Sequence, residues 1–263
     1  MRKYMKLSII SVCIILLFFV FRANPISQAS TDDGIPVLMY HHLLKASDIT
    51  SKNPSIISVE SFEAQMQILH DNDFYTPTLY ELEQFLLGKI ELPKNSVVIT
   101  FDDGYLSNYV YAYPIMKSYG LRGSIFLITG LIEEYDQGFN PKTLQYLSRD
   151  NLISMLDVFE YANHTHNLHY IDNKKSYLLL KEDGELEEDI KTNMKVTLSP
   201  YFAYPYGQYN EDTIELLKSQ GIRMAFTTKS GRVYLNDDLL RLKRIAVYPD
   251  TDINAFKKSV GIE

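Results

Sequence analysis

The chain has 263 residues, 46% hydrophobic and 22% charged, with a formal charge of −7 and a single cysteine, Cys13. Those proportions suit a globular protein with a real buried core. An acidic balance without basic runs argues against a nucleic-acid or anionic-lipid partner, and one cysteine excludes a disulfide framework.

At the N-terminus, Arg2, Lys3 and Lys6 precede the apolar run LSIISVCIILLFFVF (7–21), and Ser27 and Ala29 supply a small-x-small cleavage pattern. Residues 1–29 therefore read as a secretory signal. An uncleaved signal-anchor is the alternative, although the run is shorter than the roughly 20 residues that span a bilayer. Either form places the rest of the chain outside the cytoplasm or at the cell surface. This segment carries four basic and no acidic groups, so its removal takes the formal charge from −7 to −11 and leaves no thiol.

Residues 30–35 read as a tether. PVLMYHHL (36–43) is a buried strand ending in a histidine pair, and 46–58 is a polar loop. Phe62, Met66 and Leu69 recur at helical spacing over 61–72. Thr78 and Glu81 form a capping box for a helix through Leu87. SVVIT (96–100) is a strand short enough to be buried on both faces. A helix over 106–119, a strand over 123–129, a helix near 148–156 and a strand over 158–164 follow. Then come a helix near 181–195, a strand over 201–205, a helix capped by Asn210, a strand over 224–228 and a last strand over 244–248. Strand then helix, about seven times, predicts a parallel α/β barrel or a doubly wound sheet, in one domain over 30–263.

Both architectures put their working groups at the carboxyl ends of the strands. Those ends carry His41-His42, Asp102-Asp103-Gly104, His164 and Pro205-Tyr206-Gly207. Adjacent carboxylates on an extended chain point opposite ways, so one can hold a cation while the other faces a substrate. NHTHNLHY (163–170) contains three of the six histidines. His164 and His166 would share a face of a strand and His166 and His169 a face of a helix, so spacing leaves the ligating pair open.

IPVLMYHHL, TFDDGY, HTHNLH and FAYPYG, in this order, resemble the polysaccharide deacetylases of carbohydrate esterase family 4. The similarity is narrower still to the branch of poly-β-1,6-N-acetylglucosamine N-deacetylases that serve biofilm matrices. It covers most of residues 35–250. The resemblance implies a distorted parallel (β/α)7 barrel. It also implies metal ligation by Asp103, His164 and His169, with Asp102 as general base and His41 as general acid. The backbone N–H of Tyr206 would stabilise an oxyanion, and Tyr105 would line the sugar. His166 becomes a neighbour of the metal site and His42 a surface neighbour. The cofactor implied is one divalent ion, zinc first and cobalt, nickel or manganese after it.

One departure stands out. Much of the family has an arginine where this chain has Ala203, so Arg244 from the adjacent strand is the candidate to hold Asp102 ionised. The substrate implied is a cell-surface N-acetylglucosamine polymer handled by a monomer, with the membrane touched only through an uncleaved N-terminus. A peptidoglycan or chitin-type N-deacetylase, an O-acetyl esterase on the same fold, and a non-enzymatic wall-binding module are the alternatives.

Overall fold

The computed structural model describes residues 34–262; the expected signal segment, with most of the expected tether, lies outside them. Seven strands close a parallel barrel: β1 (Val37–Tyr40), β4 (Val98–Asp103), β5 (Gly123–Leu127), β6 (Phe159–Asn163), β9 (Tyr201–Ala203), β10 (Met224–Ser230) and β11 (Leu242–Ala246). The order around the barrel is β1-β11-β10-β9-β6-β5-β4, every neighbour parallel. The expected barrel class is the one found. Strands β1, β4 and β5 are buried along their whole length, which is why they read as continuous rather than alternating apolar runs.

Helices pack around the outside. The first, α1 (Val59–Asp71), buries Phe62, Met66 and Leu69, the three residues whose spacing predicts it. Its neighbours α3 (Tyr113–Ser118) and α7 (Ile253–Val260) share the same apolar cluster through Met116 and Phe256. Tyr109 and Tyr113 stack on one another and pack against that cluster. On the far side α5 (Asp183–Thr197) and α6 (Glu211–Ser219) cover the sheet with Leu186, Ile190, Ile214 and Leu217. A short helix, α4 (Arg149–Ser154), leads into β6.

The barrel interior is a third cluster, containing Val37, Val98, Phe126, Met224, Phe226 and Leu242. Helix α2 (Leu79–Leu86) belongs to it, because Leu79, Leu82, Phe85 and Leu86 plug the mouth at the strands' N-terminal ends. The Thr78–Glu81 capping box that predicts this helix is formed, each side chain meeting the other's backbone N–H. Beneath the plug, Arg223 donates twice to Glu83 (2.8 and 2.9 Å), and the Tyr201 hydroxyl donates to the same carboxylate at 2.9 Å. One mouth is closed, so only the carboxyl ends of the strands can admit a substrate.

Several expectations are corrected. The tether does not reach Ile35, which is 1% exposed and bridges to Val233. The stretch 46–58 is not all loop: β3 (Ile56–Ser58) pairs in parallel with β2 (His42–Leu44), outside the barrel. The helix expected over 106–119 is present over 106–118, with a π-helical turn at Asn108–Ala112 that runs into α3. Two short strands, β7 (Ile171–Asp172) and β8 (Lys175–Ser176), form a hairpin after the histidine knot.

Candidate metal-dependent active site

Strand β4 ends on both aspartates, and the chain turns immediately after them. Asp103 has φ of +74° and Gly104 +76°, a region that costs a non-glycine residue of order 1–3 kcal/mol. Gly104 leaves no room for a side chain, since a Cβ there would sit 2.7 Å from Leu127 Cδ2. The turn separates the two carboxylates. Asp102 points into the barrel and Asp103 faces the open mouth.

Asp103 Oδ1 lies 3.4 Å from His164 Nε2 and 3.4 Å from His169 Nε2. These atoms form the one cluster of such donors suited to a metal among the described residues. Separations of 3.4 Å are long for charge-assisted hydrogen bonds, and Oδ1 is a buried oxygen with no hydrogen-bond partner. They match the spacing of ligands that each stand about 2.1 Å from one tetrahedral ion. The donor set therefore fits a divalent metal. His164 Nδ1–H donates to the Ala203 carbonyl at 2.8 Å, which orients the ring so that Nε2 is the nitrogen facing Asp103. Burial, helped by the charge of the neighbouring His164, pushes the His169 pKa down to about 4, whereas at His164 burial is outweighed by Asp103 and Asp102, which raise its pKa.

His166 is the third member of the knot and takes no part in the cluster. Its Nδ1 meets Thr129 Oγ1 at 2.9 Å. Thr165, with φ of +71°, makes the kink that turns His164 inward and His166 aside. Of the three histidines, His164 and His169 are the two that this geometry brings beside Asp103.

Asp102 is 3% exposed and receives two hydrogen bonds of 2.7 Å from the Arg244 guanidinium, itself 1% exposed. Burial alone would raise this carboxyl; the guanidinium outweighs it and holds the pKa below the usual aspartate value. Arg244 does not come from the adjacent strand: β1 lies between β11 and β4, and the side chain reaches across the interior. Its Nε donates to the Thr227 carbonyl at 3.1 Å, which lies where the β10–β11 register shifts. Its guanidinium sits over the Phe126 ring. Ala203 is one of two alanines in that interior cluster, with Ala162. A different strand thus supplies the cation expected at position 203.

His41 follows β1 and presents Nε2 3.9 Å from Asp102 Oδ2. Its carbonyl accepts from Asn108 Nδ2 at 2.9 Å, so the π-helical turn fixes its place. His42 is a correction. It is 5% exposed rather than superficial, its Nδ1 meets Ser107 Oγ at 2.8 Å, and burial lowers its pKa to about 4. It begins β2, which pairs with β3 in a small separate sheet, whereas the sequence predicts a single strand over 36–43.

His41, Asp102, Asp103, His164 and His169 line a cavity of about 470 Å3, with Tyr105, Tyr146, Tyr170 and Tyr206 at its sides. Tyr105 stacks on Tyr146, and burial with the nearby Asp103 charge raises its hydroxyl pKa. Tyr206 has φ of +58°, its ring 4.5 Å from that of His169, and its hydroxyl donates to the His169 carbonyl at 3.1 Å. Tyr146 and Tyr170 carry no sequence signal that separates them from the other tyrosines.

Comparison with known proteins agrees with this site. A family model described as polysaccharide deacetylase matches residues 89–225. The chain is 30% identical to YxkH of Bacillus subtilis (strain 168), a candidate polysaccharide deacetylase, over 84% of this chain and 74% of that one. It is 29% identical to the poly-β-1,6-N-acetyl-D-glucosamine N-deacetylase of Staphylococcus aureus (strain N315), with 98% of each chain covered. The solved structure of IcaB from Ammonifex degensii superposes with a TM-score of 0.73 at 29% identity, covering 87% of this chain and 96% of that one. With the matched motifs converging in one cleft, this chain belongs to the polysaccharide deacetylase family.

Proposed function

We propose that this deacetylase removes N-acetyl groups from a cell-surface polymer of N-acetylglucosamine, of the β-1,6-linked type, with one divalent ion as cofactor. The observation that carries the reading is the orphaned Asp103 Oδ1 facing two imidazole nitrogens at 3.4 Å, beside an Asp102–Arg244 pair. Likeness to the Staphylococcus aureus enzyme and to IcaB supports the choice of polymer. Two imidazoles and a carboxylate with open positions favour zinc, with cobalt, nickel or manganese next. Bound there, such an ion would act as a Lewis acid on the acetyl carbonyl and lower the pKa of water.

The chain's own residues supply the rest. Asp102, kept ionised by Arg244, takes a proton from the attacking water. Because both its oxygens are held by the guanidinium, it cannot rotate away. His41, across from it, hands a proton to the departing nitrogen, since an amide anion is too poor a leaving group to go unaided. The Tyr206 backbone N–H receives the developing oxyanion, a contact whose loss typically costs about 3 kcal/mol. Tyr105 and Tyr206 offer ring faces to the sugar. Arg2, Lys3, Lys6 and the apolar run after them export the chain to the cell surface.

Acetate release from purified residues 30–263 tests the reading, on poly-β-1,6-N-acetylglucosamine, chitin oligomers, peptidoglycan and an O-acetylated glycan, each with a chelator control. Release from the first, abolished by chelation, is the expected result. Faster ester hydrolysis, or preference for peptidoglycan, would reassign the substrate. Turnover that survives complete removal of metal would sink the cofactor.

A further inference from the structure

Helix α5 is amphipathic, yet its buried face is half polar: Leu186 and Ile190 alternate with Asp189 and Asn193. Asp189 and Asn193 stand one helical turn apart, so they project side by side. Buried polar side chains cost stability unless they are hydrogen-bonded. The partners of these two lie in a single place.

Asp189 Oδ1 accepts from the His166 backbone N–H at 2.7 Å and Oδ2 from the Asn167 N–H at 2.6 Å. Asn193 Nδ2 donates to the carbonyls of Thr165 and Leu127 and to Thr129 Oγ1. With its oxygen accepting from Asn193, the Thr129 hydroxyl is free to donate its own hydrogen to His166 Nδ1. From the opposite side the Gly130 N–H donates to the His166 carbonyl at 2.9 Å, and a Cβ on Gly130 would come within 2.0 Å of Asn167 Oδ1. The four-residue span between His164 and His169 is thus gripped from both sides. Its left-handed Thr165 is a conformation that persists only where surroundings over-determine it.

We infer that Asp189 and Asn193 are positioning residues for the metal site: they set the spacing of His164 and His169 without touching metal or substrate. An apolar pair would bury this face equally well, but it would release the loop. The inference rests on the metal reading above.

Calorimetric titration of Zn2+ into metal-stripped wild type, Asp189→Asn and Asn193→Asp reads the role directly. Asp189→Asn turns one acceptor into a donor against an N–H, and Asn193→Asp sets a carboxylate against two carbonyls. The expected result is a zinc Kd raised about tenfold to a hundredfold. Metal-free circular dichroism should be unchanged, and kcat should recover at saturating zinc with KM for polymer unmoved. Folded variants with wild-type zinc affinity would overturn the inference. A variant that folds only when zinc is present supports it, because ion and clamp then restrain the same loop. A variant unfolded with or without zinc overturns it by reducing the pair to a requirement of the fold. A wild type that takes up no divalent ion defeats the metal reading and the clamp together; tight wild-type binding with unmoved variants defeats the clamp alone.

Discussion

The two mouths of the barrel both bury charge, and they differ in whether that charge is satisfied. At the plugged mouth Glu83 receives Arg223 through both oxygens and Tyr201 as well, under a lid of leucines from α2. At the open mouth Asp102 is equally well held by Arg244, but its neighbour Asp103 has an oxygen with no partner. Native interiors seldom leave such an atom orphaned. Asn108 Oδ1 and Asn193 Oδ1 are also without a partner, so the vacancy alone does not mark a site. What distinguishes Asp103 Oδ1 is that it faces two imidazole nitrogens at 3.4 Å, a donor set that fits a divalent ion. The open mouth also collects backbone strain, at Asp103, Thr165 and Tyr206.

The contrast is broken most severely at Asp103. Asp103→Asn should abolish both divalent-ion binding and acetate release while leaving the barrel folded, because the oxygen it alters supports no hydrogen bond in the fold. Metal analysis and circular dichroism check both halves. Retention of the ion would mean that the vacancy is not a ligand site.

Next comes His41, the proposed general acid. His41→Ala should lower kcat on the amide by about 10²- to 10⁴-fold, with a smaller loss on an acetyl ester, whose alkoxide leaves more easily. Equal losses on the two substrates would remove His41 from the leaving-group side.

Arg244→Met sharpens the comparison within the open mouth. It leaves Asp102 buried without a partner, which should cost about 3–5 kcal/mol of stability by thermal denaturation. The sign of the pH effect follows from the wild type, whose Asp102 pKa is depressed in the folded state. That depression contributes stability at and above the ordinary aspartate range, lost only as pH falls through the lower folded value. Without the guanidinium, burial raises the pKa instead. The acid limb of kcat/KM should therefore shift to higher pH; an unmoved limb would show that another group sets it.

The smallest effect belongs to the plugged mouth. Glu83→Gln should cost about 1–3 kcal/mol, toward the low end because Arg223 is half exposed. Zinc affinity and turnover per folded molecule should not change. A fall in metal affinity would mean that the two ends are coupled and the distinction between them fails.

Strand–helix alternation, the α2 capping box and the carboxyl-end placement of His41, Asp102, Asp103 and His164 were all legible in the chain. Each follows from local rules: side-chain periodicity, cap chemistry and the habit of parallel barrels. Elements with weak local signals escaped, among them β3 and α7, whose stability comes from neighbours distant in sequence, as did the break that separates β2 from β1. The burial of His42 escaped for the same reason.

By itself, then, the sequence determined a parallel α/β domain, barrel or doubly wound sheet, with paired carboxylates and histidines at the strands' carboxyl ends, because periodicity and turn chemistry act over a few residues. The family resemblance pointed to the barrel, and the closed strand order shows it. Only the tertiary structure decided which histidines converge, since one left-handed residue and a clamp from α5 choose His164 and His169 over His166. It also decided how Asp102 stays ionised, because Arg244 is 142 positions away along the chain and reaches it only when the barrel closes.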